Sequence, residues 1–151
     1  MAELDRLDLK ILNILLAKGN IGYKEMAKEL GTTMGTVHNR IKALRAEKVL
    51  NGFKPVIDSK QLGFEISVII SITIKGGHLE DVEKKYARHK NVCCVYDTTG
   101  GFDSMIIAKF RKTSELNAFV KRLMAEDFVE RTNTNLVLNI VKESSTPFPL
   151  D

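Results

Sequence analysis

The sequence predicts an α+β chain in two parts. Residues 1–50 read as a three-helix helix-turn-helix domain, residues 51–63 as a linker, and residues 64–143 as a ferredoxin-like βαββαβ domain with a tail at 144–151. Three observations carry this. Apolar residues recur at the helical period through the first 45 positions, the period switches to two at Ile66, and the excess positive charge lies at the front of the chain. Residues 1–60 hold 11 Lys/Arg against 7 Asp/Glu, whereas residues 61–151 hold 12 of each. Such asymmetry fits a nucleic-acid-binding module joined to a neutral one.

In the first part, Leu4, Leu7, Ile11, Ile14 and Leu15 follow a helical spacing that Lys18-Gly19-Asn20 stops. Tyr23, Met26, Ala27 and Leu30 share one face of a second helix, and Gly31 supplies a left-handed cap. The third helix starts at Thr32 or Thr33, either of which can cap it, and buries Val37, Ile41 and Leu44. Asn51-Gly52, between Val49-Leu50 and Phe53, is a turn signal of the hairpin type. Pro55 to Gly63 reads as extended, with the domain boundary near Leu62.

From Ile66 to Ile74 every even position is apolar and three of the four odd ones are hydroxyl residues, which predicts a strand with one buried and one intermediate face. Gly76-Gly77 ends it. A helix over about 79–89 carries Leu79, Val82 and Tyr86, Val92 to Tyr96 is β-like, and Gly100-Gly101 turns the chain into an apolar strand from Met105 to Phe110. A helix capped by Thr113 or Ser114 bears the stripe Leu116, Phe119, Val120, Leu123 and Met124. The last strand is expected at 132–141, with Leu136, Leu138 and Ile140 on one face. The order βαββαβ gives a sheet with helices on one side. The other face, with Ser67, Ile69, Ser71 and Thr73, needs a cover, and a second copy of the same sheet is the simplest one.

Hydrophobic residues make up 44% and charged residues 28%, the balance of a folded soluble chain. No apolar run reaches the ~18 residues of a bilayer span, and Met1 to Arg6 shows no basic segment leading into an apolar one, so a cytoplasmic location without membrane association is expected. Cys93 and Cys94 are adjacent and form neither a CxxC pair nor a disulfide framework; packing is their expected role. His38, His78 and His89 are scattered without metal-ligand spacing, and no GxSxG, P-loop or HExxH motif occurs, so no metal or cofactor site and no enzyme are expected.

The strongest functional signal lies in the second and third helices. Ala27, Gly31 and Val37 have helix-turn-helix spacing: a small residue for close packing, a glycine at the tight turn, then an apolar anchor. With Val37, Ile41 and Leu44 inward, Thr33, Met34, Thr36, His38, Asn39, Arg40 and Lys42 are left for double-stranded DNA. Arg suits guanine and Asn suits adenine, each bidentate pair giving ~1–3 kcal/mol of discrimination. Lys24, Lys28, Lys42, Arg45 and Lys48 are placed to meet phosphates. A second cluster, Thr98-Thr99-Gly100-Gly101-Phe102-Asp103, reads either as a ligand-approach loop with a carboxylate or as an ordinary turn with a capping Asp.

Several blocks in the right order make the chain similar to one family over nearly its whole length. They are Leu7-Asp8 to Ile14-Leu15, Met26-Ala27 to Leu30-Gly31, Val37 to Leu44 with Arg40-Ile41, Val49 to Phe53, Leu62-Gly63, Val95-Tyr96, Thr99 to Asp103, and Thr132-Asn133-Thr134. The chain resembles the leucine-responsive/asparagine-regulator (Lrp/AsnC) family of bacterial and archaeal transcription factors. The resemblance implies an N-terminal DNA-binding domain and a C-terminal sensing domain that dimerises, with dimers assembling into octamers. It also implies a small effector, usually an amino acid, held between sensing domains by Gly100, Gly101, Phe102, Asp103, Thr132, Asn133 and Thr134. Two departures stand out: Lys48 where the family commonly has Gly, and Gly35 inside the recognition helix.

The implied function is a sequence-specific regulator of transcription. Two other readings compete. Some family relatives act in tetrapyrrole decarboxylation, which needs a His/Arg/Tyr cluster that three scattered histidines do not suggest. A ligand-gated subunit of another protein would have no use for the charge gathered on the first 60 residues.

Overall fold

The computed structural model describes residues 3–143 and divides into two compact units, one reaching Ile57 and the other spanning Asp58–Lys142. The expected tail at 144–151 lies outside the described residues.

The first unit holds α1 (Arg6–Lys18), α2 (Tyr23–Leu30) and α3 (Met34–Ala46). Asp5 caps α1, accepting from the Leu7 and Asp8 backbones, while the Asp8 carboxylate accepts from the Asp5 N–H in a reciprocal box. Gly31 closes α2 in the left-handed conformation at φ 64°, and Thr33, rather than Thr32, caps α3. Ile11, Met26, Val37, Ile41 and Leu44 fill the core, each side chain contributing roughly 1.5–3 kcal/mol by burial.

Asn51-Gly52 forms no hairpin. Residues 50–58 have no regular structure, because the Leu50 N–H folds back onto the Leu44 carbonyl and Phe53 lies under the Arg45 guanidinium. The second half of the expected linker belongs to the sheet unit. Residues 59–63 form a turn closed by bonds from Leu62, Gly63 and Phe64, and Lys109 reaches Ser59 Oγ at 3.2 Å. The boundary thus falls at 57/58 rather than near Leu62.

The second unit comprises β1 (Ile66–Ile74), α4 (Leu79–Ala87), β2 (Val92–Asp97), β3 (Ser104–Phe110), α5 (Thr113–Met124) and β4 (Val129–Leu136). The sheet is antiparallel throughout with order β2-β3-β1-β4, the βαββαβ arrangement the sequence predicts. Val68, Ile70 and Ile72 of β1 and Ile106, Ala108 and Phe110 of β3 meet Val82 and Tyr86 of α4 and Phe119 and Leu123 of α5. Phe119 is the hub, with Phe110, Tyr86 and His89 rings at 5.3, 5.5 and 4.9 Å.

Three expectations are corrected here. β4 starts at Val129 and stops at Leu136, because its partner β1 runs on to Ile74 at one end and is closed at the other by the Val137 N–H on the Ser67 carbonyl. Leu138 lies beyond the paired residues and is 90% exposed. Neither Thr113 nor Ser114 caps α5: Lys112 holds that position, and Glu115 reaches back to the Arg111 N–H at 3.1 Å. Met124 turns outward, so the α5 stripe ends at Leu123.

The register defines the open face. Ile69 opposes Ile107, Ser71 opposes Met105, Met105 opposes Tyr96, and Ile107 opposes Cys94. Cys93 is the extra residue of the β2 irregularity between Val92 and Cys94.

Candidate functional site

The helix-turn-helix unit divides the seven recognition-helix residues into committed and free groups. Thr33 and Thr36 are committed: the Thr33 hydroxyl accepts from the Thr36 N–H at 3.1 Å and lies 2.9 Å from the Thr36 hydroxyl. Met34, His38, Asn39 and Lys42 are exposed. The His38 ring packs edge-on to Tyr23 of α2 at 5.9 Å, with Nδ1 3.4 Å from Asn39 Oδ1. Gly35 is also exposed, and a Cβ there would meet only Thr33 Oγ1, at 3.8 Å. Internal packing therefore does not require a bare backbone at that position.

Arg40, expected at base edges, is held by two carboxylates near the start of α1. Its Nη1 lies 2.7 Å from Asp5 Oδ2 and 3.3 Å from Asp8 Oδ2, and the Asp8 side chain is only 9% exposed. The guanidinium thus bolts α3 to the N-terminus of α1. Withdrawing it would strand a buried carboxylate. The Asp8 backbone N–H, followed by the Leu7 N–H and the Arg40 charge, holds the Asp5 carboxyl below its ordinary range, with burial acting against them.

Among the residues expected at phosphates, Lys24, Lys28, Lys42 and Lys48 are exposed, and Arg45 stacks over the Phe53 ring at 5.4 Å. Lys48 has a further property. Its φ is 57°, the left-handed conformation that costs a residue with a Cβ about 1–2 kcal/mol, at the point where the Val49 and Leu50 N–H groups turn back to the Leu44 carbonyl. Lys48→Gly is expected to stabilise this unit by about 0.5–1 kcal/mol, the gain being reduced by the greater freedom of unfolded glycine. A raised thermal midpoint checks it, and a lowered one rejects it.

In the sheet unit, the turn 98–103 is tied to the end of β1. The Thr98 N–H donates to the Asp103 carbonyl at 2.9 Å, the Asp103 N–H to the Ile72 carbonyl at 2.9 Å, and the Ile74 N–H to Asp103 Oδ2 at 2.7 Å. The Thr98 hydroxyl donates to the Phe102 carbonyl, and Gly100 sits at φ 118°, where a side chain would be strained. The Asp103 carboxylate is therefore partly spent on the fold.

The β4 residues do not converge on this turn as a block. Thr132 and Thr134 pair with Ile72 and Ile70 and share their helix-side face, while Asn133 pairs with Ser71 on the open face. The β4 residue that reaches the turn is Arg131, whose guanidinium lies 5.1 Å from the Phe102 ring centroid. Arg131 pairs in register with Thr73, whose hydroxyl oxygen is buried and finds no hydrogen-bond partner among the described residues. The sequence places Thr73 on the open face but assigns neither residue to the site. The only available hint was that Arg131 adjoins Thr132.

No group of three or more His, Cys, Asp or Glu placed to hold a metal occurs among the described residues, and no helix among them is long and apolar enough to cross a membrane.

Comparison with known proteins identifies both units. Residues 4–45 match the AsnC-type helix-turn-helix domain, and residues 67–147 match the Lrp/AsnC ligand binding domain. An uncharacterised HTH-type transcriptional regulator of Pyrococcus furiosus is 44% identical over 141 residues, covering 93% of this chain and 95% of its own. The regulatory protein AsnC of Haemophilus influenzae is 31% identical over 136 residues, covering 89% and 91%. Among solved structures, AsnC of E. coli superposes with a TM-score of 0.87 at 24% identity, covering 96% of this chain and 99% of that one. A transcriptional regulator of Neisseria meningitidis, solved in complex with L-Met, gives 0.85 at 20% identity with 94% of each covered.

Proposed function

Since the chain belongs to the Lrp/AsnC family of transcriptional regulators, we propose that it reads specific duplex DNA with the exposed face of α3 and that a small effector, an amino acid, modulates this binding. The carrying observation is the division of α3: Gly35, His38, Asn39 and Lys42 stand exposed, while Arg40 is held by α1. Asn39 suits adenine, and Lys42 suits a phosphate or guanine. The named relatives are regulators, and nothing in the comparisons favours the tetrapyrrole-decarboxylase or accessory-subunit readings.

The test is fluorescence anisotropy of the full chain on genomic and random duplexes across a salt series. Asn39→Ala is expected to lose about 1–3 kcal/mol on the preferred sequence only, and Lys42→Ala to weaken all duplexes and lower the salt slope by about 1. Wild-type behaviour of both variants would remove α3 as the reading element.

In the same reading the residues up to Ile57 form the DNA-binding unit and Asp58–Lys142 the sensing unit of a cytoplasmic homodimer that assembles into octamers. The apolar centre of the open sheet face, with Ile69, Met105 and Ile107, supports a second copy as its cover. The turn 100–103 and the β4 residues 132–134, with Arg131 beside them, are the effector region in this reading, and the L-Met in the complex of the Neisseria regulator of the same fold supports an amino acid as the effector. An effector held between subunits shifts the assembly only by its differential affinity for the two arrangements.

A further inference from the structure

We propose that Arg131 and Thr73 form the anion-binding half of the effector site and take the carboxylate of the effector; this rests on the effector reading above. Three independent features meet there. The Arg131 guanidinium stands over the Phe102 ring, and no carboxylate among the described residues pairs with it. Its register partner Thr73 holds a buried hydroxyl without an acceptor. Directly opposed residues in such a ladder have Cβ atoms about 4.5–5.5 Å apart, so the two donors belong to neighbouring side chains at one end of the sheet, and a carboxylate there has two oxygens to offer them. The adjoining turn carries Gly100 and Gly101, where an added Cβ would meet nothing within 4 Å.

The same geometry selects among anions. Asp103 is anchored next to this point by its bond to the Ile74 N–H, and its negative charge penalises a phosphate dianion more than a carboxylate. Arginine and hydroxyl donors on a desolvated carboxylate are charge-assisted and directional. The orphaned hydroxyl favours a ligand further, since a buried donor gains most when it is finally satisfied.

The experiment is calorimetric titration of the full chain with each of the twenty proteinogenic amino acids, with the α-amides of those that bind, and with inorganic phosphate. Amides and the Arg131→Gln variant are expected to bind about 10- to 100-fold more weakly than amino acid and wild type. Thr73→Val is expected to split its effects, raising the ligand-free thermal midpoint while weakening ligand binding, which a residue of purely structural importance would not do. If amino acids bind but the amides, Arg131→Gln and Thr73→Val bind equally well, this inference is overturned and the effector reading survives. If phosphate binds and amino acids do not, the carboxylate assignment is wrong. If nothing in the panel binds, the effector reading fails and this inference with it.

Discussion

Arg40→Ala is expected to destabilise the helix-turn-helix unit by about 2–3 kcal/mol. Removing one partner of a fully buried ion pair costs about 3–5 kcal/mol, because the remaining charge stays desolvated. Here the Arg40 side chain is 40% exposed and Asp5 49%, which lowers the figure, but Asp8 at 9% keeps it well above the ~0–1 kcal/mol of a surface pair. Urea denaturation measures it. Asp8→Asn in the Arg40→Ala background should recover part of the loss, since it removes the stranded charge while its side-chain oxygen still accepts from the Asp5 N–H. The penalty should also shrink in acid. The Asp5 carboxyl is lowered in the folded state, so its contribution is present above the unfolded value near 4 and is lost as pH falls through the folded one. On DNA, at a temperature where the variant stays folded, the ratio of specific to random binding should hold. Unchanged stability with a collapsed specificity ratio would return Arg40 to the bases.

The legible and illegible parts of this chain differ in range. Val37, Ile41 and Leu44 were readable as the buried edge of α3 because three- and four-residue spacing is a property of the helix itself. Arg40 lies at the flank of that edge, and its partners Asp5 and Asp8, some thirty-odd residues earlier, looked like ordinary first-turn acids. Only packing brings them together. The Leu136, Leu138 and Ile140 alternation describes a strand correctly in period, but a strand's length is set by its pairing, which ends at Val68–Leu136 and a last bond from the Val137 N–H to the Ser67 carbonyl. The Thr132-Asn133-Thr134 segment suffers from the same non-locality. Its period of two sends its hydroxyls to the helix side, and register alone decides that Arg131 and Thr73 share the open face with the turn. Lys48 is the opposite case. A position where the family resemblance leads one to expect glycine is left-handed here, a backbone requirement that this sequence meets with Lys48 at a cost.

Asp103→Ala is expected to cost the sheet unit about 1–3 kcal/mol and to abolish the effector response, while DNA binding without effector is unchanged. The stability cost has a definite origin. The β1–β4 register shifts between Thr73 and Ile74, and there the Asp103 carboxylate accepts the Ile74 N–H at 2.7 Å. Alanine leaves that donor without its acceptor and loosens a turn otherwise held by the Thr98 and Ile72 backbone bonds. Loss of response in this variant alone would therefore not separate a ligand contact from a distorted loop. Asp103→Asn does separate them, because the amide oxygen still accepts from Ile74 while the charge is gone. An Asn variant as stable as wild type but with a weakened response assigns the charge to the ligand. An Asn variant with full response, beside an unstable Ala variant, confines Asp103 to holding the turn. An Ala variant as stable as wild type would contradict the anchoring bond itself. The comparison is informative because one carboxylate oxygen is fixed by the backbone, which holds the charge in place whether or not an effector is bound. A site with its charge already fixed loses little conformational freedom on binding.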